Sequence, residues 1–334
     1  MPEGVQARRA TITGLGVYVP PAVLTNDDLA RRIHTSDEWI TTRTGIKRRH
    51  VAGVDQATSD LGILAARAAL DDAGVGPAEL DLIIVGTATP DSVFPSTACL
   101  IQERLGSPQA GAYDLLAACS SFVYGLNTAA HLIAAGTITT ALVIGAETLT
   151  RLVDWNDRRT AVLIGDGAAA AVVQPSSGEA GLYSTVVGAD GAAGDMIKLP
   201  AGGSRIPMTS DAIERNLHRA YMDGQAVFKL AVRTIPTVIR TVVGQAGWTL
   251  ADIDLVVPHQ ANLRIIDAMA DQLKLPLDRF FVNIEEYGNT SAASVPLALY
   301  EARQAGRLAD GNRIVMAAFG GGFTYAACTM RWGR

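Results

Sequence analysis

The pattern of apolar and polar positions along this chain says nearly the same thing twice. Residues 73–85, AGVGPAELDLIIV, align without a gap on residues 246–258, AGWTLADIDLVVP. Ala73/Ala246, Gly74/Gly247, Ala78/Ala251, Asp81/Asp254 and Leu82/Leu255 are identical. Each copy predicts a helix end, a glycine stop, an acidic turn and a buried strand. A second echo pairs 134–145, AAGTITTALVIG, with 304–317, QAGRLADGNRIVMA, where a glycine closes a helix and an apolar strand follows. A third pairs IGDGAAAAVV (164–173) with FGGGFTYAAC (319–328), glycine-rich turns that each open a strand of small and β-forming residues. The echoes keep one order in both halves. The pattern predicts a duplicated α/β unit, 1–174 and 175–334, with the halves packed as one compact body.

Composition sharpens this picture and removes some function classes. The 334 residues are 49% hydrophobic, enough for a large core, and the low aromatic content beside abundant Ala and Gly predicts tight helix–sheet packing. A net charge of −5, with no basic tract beyond KRRH at 47–50, argues against nucleic acid as a partner. The opening MPEGVQARRATITGLG has no apolar core of a signal peptide, and no run of 18 apolar residues predicts a membrane span. Three cysteines, Cys99, Cys119 and Cys328, make no disulfide framework and suit a reducing cytoplasm. No pair has CxxC or CxxH spacing, so no metal site is expected.

The repeat selects candidate chemistry. Cys119 stands 17 residues before Gly136, and Asn289 stands 17 before Gly306, so counting back from the helix stops makes the two equivalent. Each precedes a helix. His259 follows the strand IDLVVP directly. In open α/β sheets, sites form outside the carboxyl ends of strands, and all three residues fall at such ends. A pseudo-twofold arrangement of the halves would let them converge. The position of Cys119 before a helix predicts a lowered thiol pKa; a small buried core cysteine is the alternative. A neutral His259 could relay protons or donate to an oxyanion. Asn289 could cap a turn, or donate its uncharged amide to a developing enolate. The glycine runs contain neither GxxxxGK[ST] nor a GxGxxG after the first strand, so they are not read as phosphate cradles. FGGGF at 319–323 would let backbone amides approach a ligand closely.

Taken together, AACSSFVYGL, VPHQANLRII, YGNTSAAS and FGGGFTYA resemble the β-ketoacyl-acyl-carrier-protein synthase III family of the thiolase superfamily. TSDEWITTRTGIKRRH (35–50) and DWNDRRTAVLIGDGA (154–168) match its pattern too, and the resemblance runs from about residue 10 to the C-terminus. It implies a thiolase-like fold of duplicated βαβαβαββ halves in five layers, α-β-α-β-α, assembled as a homodimer. It implies the initiating condensation of bacterial fatty acid synthesis, in which an acyl-CoA primer is joined to malonyl-acyl carrier protein. Cys119 would carry the acyl group, His259 and Asn289 would serve decarboxylation, and the amides of Cys119 and Gly321 would form an oxyanion hole. Trp39, Arg43, Arg158 and Asn262 match CoA-binding positions. Phe94, Leu149, Ile164 and Ala220 match the primer pocket, Phe94 reaching in from the dimer mate. Lys229 and Arg264 match positions that dock the acidic carrier protein. No metal or redox cofactor is implied.

One departure is Ser121, where many members have Gly; it would narrow the mouth of the first helical turn or be accommodated there. Ile164 and Ala220 stand at pocket-wall positions that are often larger, which predicts a pocket able to take more than acetyl. Alternatives are a starter-unit synthase of secondary metabolism, a Cys–His–Asn hydrolase and a non-catalytic partner subunit. The missing papain-type signature and the duplicated architecture argue against the hydrolase, and the intact Cys, His and Asn against the last.

Overall fold

The computed structural model describes residues 9–333; the reading of residues 1–8 as part of a segment without a signal peptide lies outside them. The first half builds one sheet from strands Ala10–Tyr18, Leu82–Gly86, Gly111–Leu115, Ala141–Glu147 and Gly167–Pro175. The second builds another from Gly181–Ala189, Leu255–Pro258, Arg313–Gly320 and Thr324–Arg331. In each sheet the two strands nearest the repeat signals run parallel, and the last two strands of the half pair antiparallel. The second half lacks a full counterpart of Gly111–Leu115. Its equivalent is reduced to a bridge between Phe280 and Val256, with the Phe281 amide donating to the Val256 carbonyl at 2.9 Å, before the chain turns into Ile284–Tyr287.

The near-continuous apolar strands are explained by burial on both faces. Leu82 and Ile84 face a central layer, while Ile83 and Val85 face an outer one. Leu255 and Val257 face the same central layer from the other side, and Val256 faces outward. The central layer is the helix pair Ser121–Ala134 and Ser294–Gln304, whose Phe122, Leu126, Val295 and Leu299 join both sheets in one cluster. Thr58–Ala73 and Thr97–Leu105 cover the first sheet, and Gly224–Gln245 and Leu263–Leu273 cover the second. The result is the five-layer α-β-α-β-α order. Two longer segments have no place in the duplicated plan. The first, 19–57, carries the helix Asp37–Thr44; the second, 190–223, follows the strand Gly181–Ala189.

The backbone corrects the pairing of Cys119 with Asn289. Ala118 and Ser291 both adopt left-handed conformations, with φ of 48° and 49°, and each opens a three-residue turn that runs into a central helix. That matches residue 118 to 291, the same offset that matches 82 to 255. Ala292, not Asn289, therefore stands where Cys119 does. Counting back from the glycine stops failed because Ser294–Gln304 has 11 residues against 14 for Ser121–Ala134. The following loop restores the offset, since Leu82 pairs with Ala141 and Leu255 with Ile314. The third echo is two residues out of register, because Gly145 pairs with Ala169 and its counterpart Ala318 with Ala326.

The shared layer should carry much of the stability. Leu126 is fully buried between the sheets. Leu126→Ala is expected to lower the unfolding free energy by about 2–5 kcal/mol, read as an earlier urea midpoint.

Candidate active site

The N-terminal ends of the two central helices lie against each other, at the carboxyl ends of the strands. Cys119 sits in the turn Ala118–Ser120. Ser121 does not narrow the helix mouth. Its hydroxyl turns back to accept the Ala117 amide at 2.9 Å, and its Cβ lies where any side chain on Gly86 would collide. The Ala117 carbonyl accepts the Thr324 hydroxyl at 2.7 Å, tying the turn to the last strand. Gly320 is required by close approach: a Cβ there would stand 2.5 Å from the Cys119 nitrogen. This brings the backbone entering Gly321 beside the Cys119 amide, as FGGGF predicts.

Residues 289–294, NTSAAS, gather the remaining groups. The Asn289 amide donates to the Leu163 carbonyl at 2.8 Å, and the Gly165 amide donates to the Asn289 carbonyl, so Asn289 bridges Ile164. Its side-chain Oδ1 accepts the Ser291 amide at 2.9 Å, which leaves the side-chain NH2 to donate outward. The turn Ala118–Ser120 packs against Ser291–Ala293, which brings Cys119 beside this segment. Ser294 Oγ lies 2.5 Å from Nδ1 of His259, whose backbone continues the strand by donating to the Ala317 carbonyl. The His259 ring is 2% exposed and meets Phe319 edge-on, with centroids 5.5 Å apart.

Burial sets the protonation states. Cys119 is partly exposed, yet packing around the thiol pushes its pKa up to about 12. This direction is opposite to the lowering expected from the position before a helix, and its cause is the cost of burying a thiolate. Burial drives His259 down to about 3, so the ring is neutral. The third group is Glu147, at the end of its strand, which no sequence pattern marked. It is fully buried, and its carboxylate accepts the Thr89 hydroxyl at 2.7 Å, the Thr87 hydroxyl at 3.3 Å and the Ala88 amide. Burial raises it to about 7, against hydrogen bonds from Thr89, Ala88, Ser291 and the Ala292 amide.

The other sequence candidates group by region. The guanidiniums of Arg43 and Arg158 each stand 4.7 Å from the Trp39 ring centroid, on the helix Asp37–Thr44 and its neighbour Arg158–Ala161. Asn262 caps the helix Leu263–Leu273 by accepting the Arg264 amide at 2.9 Å, and Gly45 at the end of the Trp39 helix abuts Leu263. The Ala220 amide donates to the Leu152 carbonyl, joining Ala220 to the turn that holds Leu149. Phe94 is 83% exposed and is not part of its own chain's site; Leu116, close to Cys119, is 76% exposed. Lys229 and Arg264 are exposed on adjacent helices, with Arg264 over the Phe228 ring at 5.9 Å. Among the described residues, no helix is long and apolar enough to cross a membrane.

Two family models match, 3-oxoacyl-[acyl-carrier-protein] synthase III over residues 113–191 and its C-terminal part over 243–332. A beta-ketoacyl-[acyl-carrier-protein] synthase III of Roseiflexus sp. (strain RS-1) is 51% identical, the alignment covering 98% of this chain and 99% of the relative. The chain belongs to the β-ketoacyl-[acyl-carrier-protein] synthase III family. Synthases of this family are condensing acyltransferases that initiate fatty acid synthesis, and this chain is one of them. The synthase III of Aquifex aeolicus VF5 superposes with a TM-score of 0.90 at 44% identity, covering 97% of this chain and all of that one. A priming β-ketosynthase of the R1128 polyketide pathway superposes equally well at 36% identity, covering 99% and 98%. The thiolase-like fold is thus the family's own.

The depressed His259 has a consequence for stability. Its folded pKa lies below the unfolded value of about 6.5. Its contribution is present above pH 6.5 and is lost as pH falls toward 3. Between pH 6.5 and 5 the synthase is expected to lose about 2 kcal/mol more than His259→Gln does. Urea midpoints at the two pH values for both proteins check this.

Proposed function

We propose that Cys119 takes the acyl group of a short acyl-CoA as a thioester, and that His259 and Asn289 then drive decarboxylative condensation with malonyl-acyl carrier protein. The packing of the Cys119 turn against Ser291–Ala293, in a segment that includes Asn289 and anchors His259 through Ser294, carries this reading. Transfer between thioesters is nearly balanced in energy, so the acyl-enzyme forms reversibly. The acyl oxygen would accept from the amides of Cys119 and Gly321. Loss of CO2 from the malonyl group then leaves an enolate. Two uncharged donors await its oxygen: the free NH2 of Asn289, and Nε2 of His259, the ring nitrogen opposite the one held by Ser294. A cationic imidazole would be a stronger donor but is excluded by burial. The enolate carbon attacks the Cys119 thioester and yields 3-oxoacyl-carrier protein. The reaction balances without a metal or redox group.

The arginine pair about Trp39 suits the phosphates and adenine of CoA. Asn262 would line the pantetheine path, and Leu149, Ile164 and Ala220 would wall a primer pocket open to longer or branched chains. Exposed Phe94 supports a homodimer in which it enters the mate's pocket. The three cysteines are free, in keeping with work in the cytoplasm. A secondary-metabolic role is the second reading, favoured by the polyketide-pathway relative; the higher identity to the Roseiflexus and Aquifex synthases favours the first.

Intact-protein mass after incubation with acyl-CoA alone is expected to show a single acyl adduct on the wild type and none on Cys119→Ala. Adducts are expected from propionyl- and isobutyryl-CoA as well as acetyl-CoA; an acetyl-only result would remove the wider-pocket reading. His259→Ala and Asn289→Ala should keep the adduct and lose condensation by about 100-fold or more. The docking reading is checked separately. Lys229→Glu with Arg264→Glu is expected to raise KM for malonyl-carrier protein about tenfold, with acylation from acyl-CoA unchanged.

A further inference from the structure

Arg49 is a fully buried side chain that the condensation does not use directly. Its neighbours Lys47 and Arg48 pair at the surface with Glu285 and Glu286, but Arg49 pairs with no carboxylate among the described residues. Burial pulls its pKa down to about 10, so it is still a cation at neutral pH. A buried cation without a counter-ion is costly, and its Nε finds no acceptor among the described residues either. What the guanidinium does make is three bonds to two distant segments. Nη1 donates to the Leu24 carbonyl at 3.1 Å and to Asn26 Oδ1 at 2.9 Å, and Nη2 donates to the Val162 carbonyl at 2.7 Å. The Asn26 amide group in turn donates to the Ile46 carbonyl at 2.7 Å and to Asp37 at 2.8 Å, in the first turn of the helix that carries Trp39. On the other side, Val162 leads into Leu163 and Gly165, which hold the backbone of Asn289 at 2.8 and 3.1 Å. The stem of Arg49 packs there as well: a Cβ on Gly165 would stand 3.2 Å from the Arg49 Cβ, and one on Gly288 would stand 3.5 Å from it.

We infer that Arg49 is a positioning residue for the condensation step, acting on Asn289 through the Val162 carbonyl. Asn289 is held at three points: its amide, its carbonyl and its side-chain Oδ1. Two of the three are made by Leu163 and Gly165, so the direction of the side-chain NH2 follows wherever that short segment is set. Arg49 sets it against the segment that carries Trp39, because one guanidinium bonds both. A planar guanidinium fixes two directions at once, which an ammonium with freely turning donors cannot do. The hydrogen-bond partners of Arg49 include none of Cys119, His259 and Asn289, so its influence on the chemistry runs through the backbone that carries Asn289. A donor displaced by about 1 Å is enough to slow a reaction by about 100-fold. The buried cation is thus retained for the geometry of its fork, at the junction between the segment that suits CoA and the residue that suits the enolate.

The inference rests on the reading of Asn289 as a donor to the enolate, and a double-mutant cycle tests the two separately. Protein already acetylated by acetyl-CoA is mixed with malonyl-carrier protein, and a single turnover of condensation is timed. Arg49→Lys, which keeps the charge, is expected to form the acetyl adduct within about threefold of the wild-type rate and to condense about 10- to 100-fold more slowly. Arg49→Lys combined with Asn289→Ala is expected to condense no more slowly than Asn289→Ala alone, since a residue that acts only through Asn289 then has nothing left to aim. A merely structural Arg49 predicts losses that multiply in the double variant and that fall on acylation too. Either of those results overturns the inference, as does an Arg49→Lys that condenses at the wild-type rate. If Arg49→Lys does not fold, Asn26→Ala decides by the same cycle: it leaves the guanidinium in place, removes one of its acceptors, and is expected to slow condensation by about 3- to 10-fold. Asn289→Ala condensing at the wild-type rate would strike the reading of Asn289 and the inference with it. A slow Asn289→Ala beside a normal Arg49→Lys would strike the inference alone.

Discussion

Six residues, 289–294, fix the reacting groups relative to one another. Ser291–Ala293 packs against the turn that holds Cys119, Asn289 folds its own side-chain oxygen back onto the Ser291 amide, and Ser294 holds the imidazole. The segment can do this because it opens one of the two helices sandwiched between the sheets, where the core clamps it from both sides. The other helix of that layer opens at Cys119. Rigid elements buried on all sides deliver the side chains, so little conformational freedom is left to be lost when substrate binds. The segments that carry Trp39 and Ala220 stand outside the duplicated plan and suit recognition rather than bond-making.

The same burial determines the charges. It lifts the thiol, lowers the imidazole and lifts the carboxylate, and so favours the neutral form of each group. A site at rest with little charge is one in which fixed N–H donors act strongly on the charge that develops during reaction. Burial also holds the Cys119 thiol up, opposite in direction to the lowering that its position before a helix predicts.

The duplicated plan, the buried strands and the convergence of Cys119, His259 and Asn289 were legible because they rest on periodicity and on strand ends, which repeat. The role of Gly320 was legible in outline, since a run of glycines signals close backbone approach. The register between halves was not, because a shorter helix and a longer loop cancel, and a count taken from the helix stop crosses only the first of them. Ser291, Ser294 and Glu147 were invisible for another reason. Two are small polar residues in a run of small residues, and the third ends an apolar strand as many surface carboxylates do. Thr87, Ala88 and Thr89 of its own half and the turn Ser291–Ala293 of the other together enclose it.

The corrected register explains why one turn came to hold the nucleophile. Ala292 takes the place of Cys119, and the shared offset matches Glu147 with Gly320 at the ends of equivalent strands. In the second half the turn that holds Ala292 packs against the strand that ends in Glu147. In the first half the equivalent amide, that of Cys119, faces Gly320, which has no side chain to cover it. Two helix openings of the same shape thus offer two anion-binding amides. Beside one turn stands a carboxylate of the protein; beside the other stands a residue with no side chain. Duplication gave both halves the same turn, and a difference at one strand end, carboxylate against hydrogen, makes the two helix openings unlike.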